Sequence, residues 1–504
     1  MQSSSVLRPS TRARLRGGSW LAPAALLLLA AGLRLPGLEY GLPFPLLNPD
    51  EESIVPRAWE LAHGGGLDPG WYDYPSLLFT LLAPSQVFAD APSYGAGRVV
   101  AAALGVGGVA AAWWLGRVAY GSLAGLVAGA AVAVATAHVA YSHVAVTDVL
   151  LATLVTVALA FAIKGRLGWA GLAAGLAVSA KYPGVVLAAP LIAVGWQRWH
   201  RLALGAGLAV VAFALTSPFV VWHAGAAWAD ISRVQRLAEA GWLGFENDHA
   251  TPIAFLDRLW ESLGPVLGVG LAGLAFALAR LVLTAHERLS APRRAAQPGR
   301  AGGGDAEPMI TERKARSQRA DLALAAFAIA YFAYLLTLDA HFDRYVLPLV
   351  PVLGTLAARV RPLAVLALPL LLVPLAWSAR DVRELTRTDT RVVAHAWIER
   401  GLPMRARIAV ESSTPRLGTR TALRLELPGP GRATDPERDV ERLRALGIEF
   451  VLVTGAVAER VLAAPERYPA EARFYAELEA DARRVLRVAP GDGLAGPWVA
   501  LYRL

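Results

Sequence analysis

Cysteine is absent from all 504 residues, so disulfides and thiolate metal sites are excluded. An oxidising compartment is allowed without being implied. Charge is scarce as well: 18% of residues are Asp, Glu, Lys or Arg, where a soluble domain carries roughly a quarter. Hydrophobic residues make up 55% of the chain and mean hydropathy is +0.43, a composition that leans toward the membrane. The 49 Lys and Arg outnumber the 40 Asp and Glu, giving +9. These basic residues sit in short clusters between apolar runs. That pattern suits cytoplasmic loops, and no nucleic-acid partner is expected.

Arg8, Arg12, Arg14 and Arg16 precede an apolar run from Leu21 to Leu33. No clean small-x-small cleavage site follows, so the run reads as a retained first span rather than a signal peptide. Further runs lie near 18–38, 98–118, 122–140, 146–163, 167–181, 184–198, 203–222, 260–284, 321–338, 344–358 and 361–378, the first enclosing Leu21–Leu33. Ser76 to Ala89 is short and holds Pro84, so it either spans or re-enters. Parity decides. With about eleven spans and the N-terminus inside, Arg117, Lys164, Arg166, Arg198, Arg201, Arg359 and Arg361 all fall inside, together with the basic loop at 285–320. Counting 76–89 as a span moves nearly all of them outside, against the positive-inside rule. The favoured topology places 39–97, 141–147, 223–258 and 379–504 on the outer face.

The expected organisation is a transmembrane catalytic domain at 1–378 and an outer-face α/β domain at 379–504. A first outer loop spans about 39–97, and a flexible cytoplasmic linker about 285–320 carries Gly302-Gly303-Gly304. In the last part, Arg391–Arg400 and Val440–Leu446 read as helices. Ile408–Val410, Phe450–Thr454 and Trp498–Tyr502 read as strands, so the domain is small and α/β.

Charges at the outer ends of the spans carry the chemistry, because a central Asp or Arg costs roughly 2.5–3.5 kcal/mol on insertion scales. Asp50, Glu51 and Glu52 open a helix in the first loop, which closes on Trp71-Tyr72-Asp73-Tyr74-Pro75. Helix capping alone also accounts for Asp50. Asp148, beyond His143, starts another span, where capping again suffices. Lys181 and Tyr182 occupy a tight outer turn, and a snorkelling lysine would explain them. His341, Arg344 and Tyr345 occupy another, where interface anchoring would do. Together they bring acidic groups from two loops and basic groups from two others to one depth. A carboxylate there can deprotonate an acceptor while Lys and Arg hold a phosphate.

Five segments in order carry a resemblance: Pro49-Asp50-Glu51; Tyr74-Pro75; Tyr141-Ser142-His143 leading to Thr147-Asp148; Gly171 to Gly175 leading to Lys181-Tyr182; and Arg344-Tyr345-Val346-Leu347-Pro348. Over roughly 20–360 the chain resembles the GT-C superfamily of membrane glycosyltransferases, notably family 39 protein O-mannosyltransferases and lipid A aminoarabinose transferases. The resemblance implies a polytopic α-helical GT-C-type fold in the bacterial inner membrane. It implies inverting transfer of a hexose or pentose from a polyprenyl-phosphate donor to a lipid, glycan or protein acceptor. It also makes Asp50 the base, Glu51 its neighbour orienting the acceptor or the first-loop helix, and Asp148 a further carboxylate, with Lys181, Arg344 and Tyr345 on the donor phosphate. Asp73, Tyr74, His143, Tyr182 and His341 are substrate-side candidates. Asp73-Tyr74-Pro75 departs from the related His-Pro-Pro or acidic-Lys-Pro steps, which puts a phosphate contact there in question.

Trp222 to Arg258 reads either as a lid over the site or as a solvated amphipathic helix. No cofactor is required by the sequence, and a divalent metal on Asp50, Asp148 and water stays open. The competing class is a transporter or flippase for lipid-linked glycans. Charges gathered at one face, with no repeat between the halves, favour the enzyme.

Overall fold

The computed structural model describes residues 21–290, 306–418 and 420–504. Arg8, Arg12, Arg14, Arg16 and the Gly302–Gly304 run lie outside the described residues. Helices dominate up to Leu385. They begin with α1 (Leu21–Arg34), α2 (Glu51–Ala62), α3 (Leu77–Gln86), α4 (Tyr94–Tyr120), α5 (Ser122–Val134) and α6 (Thr136–Tyr141). Next come α7 (Asp148–Ile163), α8 (Leu167–Ala180), a 3₁₀ turn at Tyr182–Leu187, α9 (Ala188–Gly195) and α10 (Trp199–Thr216). The short α11 (Pro218–Trp222) and amphipathic α12 (Ala224–Ala240) lead to α13 (Thr251–Leu263) and α14 (Val266–Ser290). The bundle closes with α15 (Ala306–Leu335), α16 (Leu349–Leu356), α17 (Arg361–Leu370) and α18 (Leu372–Leu385).

Among the described residues, four stretches are long and apolar enough to cross a membrane: α4, Tyr182–Thr216, Val266–Glu287 and Arg361–Leu385. Five shorter apolar helices are α1, α3, α5, α7 and α8. α3 has ten residues and rises only about 15 Å, half of the hydrocarbon thickness. It lies instead against α2, its Leu78 and Leu82 clustering with Ile54, Val55, Val144 and Val146.

Several runs that read as continuous are broken. The 122–140 run breaks at Ala135, the 260–284 run at Gly264 and the 361–378 run at Leu371, while 344–358 opens with a 3₁₀ turn. A break leaves carbonyls without helical donors. At Ala135 the remedy is Arg34, fully buried, whose guanidinium donates to Val132 O at 2.9 Å and Ala133 O at 3.0 Å. The same group bonds Ser142 Oγ at 3.2 Å. A buried arginine here does the work of a cap. The expected linker at 285–320 is also corrected at its flanks, since α14 continues to Ser290 and α15 starts at Ala306. An i,i+4 pair, Arg316 to Glu312 at 2.7 Å, supports that charged stretch as helix.

α18 runs on to Leu385, past the 378 boundary at which the apolar run ends. Its charged residues Arg380, Asp381, Arg383 and Glu384 are helical even though they end the hydropathy signal. Beyond it a parallel pair, β1 (Thr388–Asp389) with a strand at Leu494–Ala495, precedes a five-stranded sheet. Its members are β2 (Ile408–Val410), β3 (Ala422–Arg424), β4 (Phe450–Thr454), β5 (Arg483–Val488) and β7 (Val499–Arg503), the Leu494–Ala495 strand being β6. The order is β3-β2-β4-β7-β5, parallel from β3 to β4 and antiparallel after it. β5 was not legible in sequence because it is an edge strand with three arginines and a partly exposed pattern. This unit is clamped to the first loop: Arg391 pairs with Asp389 at 2.7 Å and donates to Leu46 O at 3.0 Å.

α8 and α10 meet backbone to backbone. A Cβ on Gly171 would lie 1.9 Å from Gly205 O, and one on Gly175 would lie 2.1 Å from Ala209 O. Such close approach of small residues is how apolar helices associate in lipid. Gly171→Ala should therefore force the helices apart and cost about 1–3 kcal/mol, seen as a lower melting temperature in detergent. Gly207→Ala, which meets nothing within 4 Å, is the control; equal melting temperatures for the two would overturn the contact.

Candidate active site

The first-loop helix starts from an Asn-Pro-Asp turn. Asn48 Oδ1 accepts from Asp50 N at 2.9 Å, and Asp50 O accepts from Ser53 N and Ile54 N. Backbone and Asn48 thus organise the helix start, and the Asp50 side chain makes no capping bond. The capping account of Asp50 fails on this geometry. Its Oδ2 instead accepts from Arg344 Nη1 at 2.6 Å and from Tyr74 OH at 2.9 Å.

Asp148 behaves likewise. It is the first residue of α7, is 2% exposed, and accepts from Lys181 Nζ at 2.6 Å. Lys181 follows α8 where Tyr182-Pro183 turns the chain, and its ammonium lies 5.5 Å from the Tyr74 ring centre and 5.3 Å from that of Tyr345. Arg344, in the 3₁₀ turn before α16, lies over Phe342 and Tyr345. Two ion pairs therefore meet around two tyrosines at one end of the bundle. Three buried polar atoms at or beside them have no partner: Asp148 Oδ2, Arg344 Nε and Thr147 Oγ1. Orphaned buried groups of this kind call for a ligand or water.

Electrostatics fix the resting state. Burial alone would raise the Asp50 carboxyl, but the Arg344 charge and the bonds from Tyr74 and Arg344 outweigh it, holding it below the usual carboxylate range. Burial and the Asp50 charge raise Tyr74 well above its ordinary value, so it stays a donor. Among the described residues no group of three or more His, Asp or Glu could hold a metal. Asp50 and Asp148 each already face a cation, a donor set that fits a divalent ion poorly, and no step is routed through one.

The other sequence candidates lie apart from this cluster. Glu51 is fully buried on the far side of α2, where Arg98 grips both oxygens at 3.0 and 2.8 Å and Ala145 N donates at 2.9 Å. Arg98 also donates to Tyr40 O at 2.7 Å, so Glu51 seats the first loop on α4 rather than touching the pocket. His143 bonds the carbonyls of Val139 and Pro36, both at 2.9 Å. His341 faces Asp248 at 3.1 Å and Thr251 at 3.3 Å. Tyr182 OH donates to Tyr72 O at 2.8 Å, and Asp73 accepts from Arg233 at 2.5 Å. That last pair, with Tyr72 N donating to Asp230 at 3.0 Å, latches the helical 222–258 segment to the first loop. Sequence reasoning gave no role to Arg98, Tyr141 or Asp343. Tyr141 OH donates to Asp343 Oδ1 at 2.7 Å and so braces the Arg344 turn; its one signal was its place just before Ser142-His143.

The fold, a helical bundle with a long loop after its first helix, is similar to that of solved glycosyltransferases of the GT-C type. Two sets of solved structures share it. ArnT from Cupriavidus metallidurans bound to undecaprenyl phosphate aligns with TM-score 0.55 at 15% identity, over 96% of this chain and 98% of that one. The archaeal oligosaccharyltransferase AglB from Archaeoglobus fulgidus, in complex with an inhibitory peptide and a dolichol-phosphate, aligns with TM-score 0.57 at 13% identity, over 90% and 71%. By sequence, no family model and no curated protein matches the chain.

Asp50 and Glu51 are neighbours with opposite duties, and stability separates them. Removing one partner of a fully buried ion pair costs about 3–5 kcal/mol, so Glu51→Gln should lower the melting temperature markedly. Asp50→Asn, at a half-open site, should lower it clearly less. Equal losses would mean that Asp50 is structural too.

Proposed function

We propose that the chain is an inverting glycosyltransferase that moves a sugar from a polyprenyl-phosphate donor to an acceptor at the outer face of the bacterial inner membrane. The observation carrying this reading is the meeting of the Asp50–Arg344 and Asp148–Lys181 pairs around Tyr74 and Tyr345, with buried polar atoms left over. Solved neighbours with the same fold hold undecaprenyl phosphate and dolichol-phosphate, which supports a lipid-phosphate donor.

In the resting site both cations are neutralised by carboxylates. A donor phosphate is a better bidentate partner for Arg344 and a strong one for Lys181. As it engages them it weakens their hold on Asp50 and Asp148. Asp50, the more exposed of the two carboxylates, then gains proton affinity and serves as general base toward the acceptor hydroxyl or amine. The acceptor oxygen or nitrogen bonds to the anomeric carbon as the bond to the phosphate oxygen breaks. Lys181, Arg344 and the Tyr345 face keep the departing lipid phosphate. One displacement inverts the anomeric centre. The 1–378 helices would form the catalytic body, and the α/β unit behind them, clamped to the first loop, would take part in acceptor binding or packing.

Asp50→Asn should abolish transfer by purified protein in a folded state, and full activity would end its role as base. Lys181→Ala should raise the apparent Kd for donor more than for acceptor; unchanged donor affinity would remove it from the phosphate site. Mass spectrometry of membrane glycolipids and exported proteins from a deletion strain would identify the missing sugar.

The coupling has its own signature. Free carboxylates titrate near 3.9, and Asp50 in the donor-free protein should titrate below that. Its stabilising share is then present above the unfolded value and lost as pH falls through the folded one. Adding polyprenyl phosphate should move the titration upward in wild-type-minus-Asp50→Asn infrared difference spectra. A value that stays put with saturating ligand would overturn the displacement of Arg344 from Asp50.

A further inference from the structure

At the opposite end of α7 and α8 the pattern changes: the cations Arg198, Arg316 and Arg319 gather with Glu312 the one carboxylate acting on Arg319 among the described residues. Gly165, in the turn between these helices (φ +71°), has a guanidinium nitrogen of Arg319 2.5 Å from where a Cβ would stand and one of Arg198 at 3.4 Å. The two nitrogens therefore lie within about 6 Å of each other, where like charges repel even near a surface. Among the described residues neither has a carboxylate partner within ion-pair distance, since Glu312 is taken by Arg316. Arg319 is pulled below its ordinary value by burial and by its neighbours Arg198 and Arg316.

Two independent features show what this cluster faces. Arg198 stands at the N-cap of α10 and makes no capping bond, so a cation sits where the helix dipole favours an anion and where free N–H groups are offered. Trp196 and Trp199 flank it, 74% and 73% exposed, in the manner of aromatic side chains at a membrane–water boundary.

We propose that Arg198, Arg319 and the first turn of α10 form a binding site for the phosphate of an anionic glycerophospholipid, its acyl chains lying along the apolar surface below Trp196 and Trp199. The headgroup phosphate supplies the charge that the cluster lacks and the acceptor oxygens that the α10 N-terminus offers. Arg166, at the uncapped start of α8, adds to the same field. This site is separate from the Asp50 pocket and does not depend on the reaction assigned to it.

The test uses the full chain in nanodiscs of phosphatidylcholine with a minor fraction of phosphatidylglycerol, followed by native mass spectrometry of the lipids retained on release. Wild type should retain phosphatidylglycerol preferentially. Arg198→Gln/Arg319→Gln should cut that preference by roughly an order of magnitude, as expected for two arginines near a lipid surface, and Arg198→Lys/Arg319→Lys should keep most of it. Arg198 is exposed, so the single Arg198→Gln provides the same comparison in a protein that folds if the double variant does not. An undiminished preference in Arg198→Gln and in the double variant would overturn the site. So would a melting-temperature shift given in full by inorganic phosphate alone, since that marks a soluble-anion site and not a lipid one.

Discussion

Two carboxylates and two cations buried at one end of an apolar bundle have to neutralise one another, and much of the structure serves that requirement. Taking a charge from water into a protein interior costs several kcal/mol unless a partner of good geometry is present. Arg344 and Asp50 meet at 2.6 Å, as do Lys181 and Asp148, while Tyr74 and Tyr345 present ring faces to the cations. The pairing leaves none of the four charges alone in the free protein. A carboxylate held by an arginine is a poor base, and an arginine held by a carboxylate is not free for phosphate. Only a ligand that is itself an anion can exchange partners without leaving a charge alone. On the function proposed above, specificity for a phosphate donor and release of the base would arise from one event.

Such a pocket needs walls that do not give. Glu51 and Arg98, both fully buried, fix the first loop to α4 and to the 145 turn, one residue away from Asp50. Arg34 closes the broken end of α5 and holds Ser142, which keeps the turn leading to Asp148 in place. Close glycine contacts between α8 and α10 set where Lys181 and Ser217 come out of the bundle. Ser217 in turn receives Ser76 N at 3.0 Å, tying α3 to the same end. Each device satisfies a polar group inside an apolar medium, and each also sets the position of a charge.

Much of this was legible in the chain, for definable reasons. Hydropathy marks where helices run, and the arginine clusters mark which ends belong together, so Asp50, Asp148, Lys181 and Arg344 could be placed at one depth before any coordinates. Hydropathy is blind to the breaks at Ala135, Gly264 and Leu371, because a broken apolar run has the same composition as a whole one. It also stops α18 too early, at the first charged turn. Reading along the chain left Glu51 to orient either the acceptor or the first-loop helix, and its bonds to Arg98 and Ala145 N agree with the second. The helix turns about 100° between Asp50 and Glu51, and so they face different surroundings. Edge strand β5 was lost among its arginines. The roles of Arg98 and Tyr141 could not be read from pattern, since their partners are distant in sequence: Glu51 lies 47 residues from Arg98 and Asp343 lies 202 from Tyr141.

α7 and α8 show how one pair of helices can carry opposite chemistry at its two ends. Asp148 at the start of α7 and Lys181 after the end of α8 both stand where the helix dipoles favour them, and they face each other. At the other end Lys164 follows α7 with the dipole, but Arg166 before α8 and Arg198 before α10 stand against it. A dipole-opposed cation beside another cation gains from any anion that completes the set. At the Asp50 end the chain supplies those anions itself and holds them in reserve for exchange. At the Gly165 end, among the described residues, it supplies none within ion-pair distance of Arg198 and Arg319, and the membrane surface is the nearest abundant source. Self-neutralised charge would then mark the end proposed to react, and charge left for lipid the end proposed to bind it.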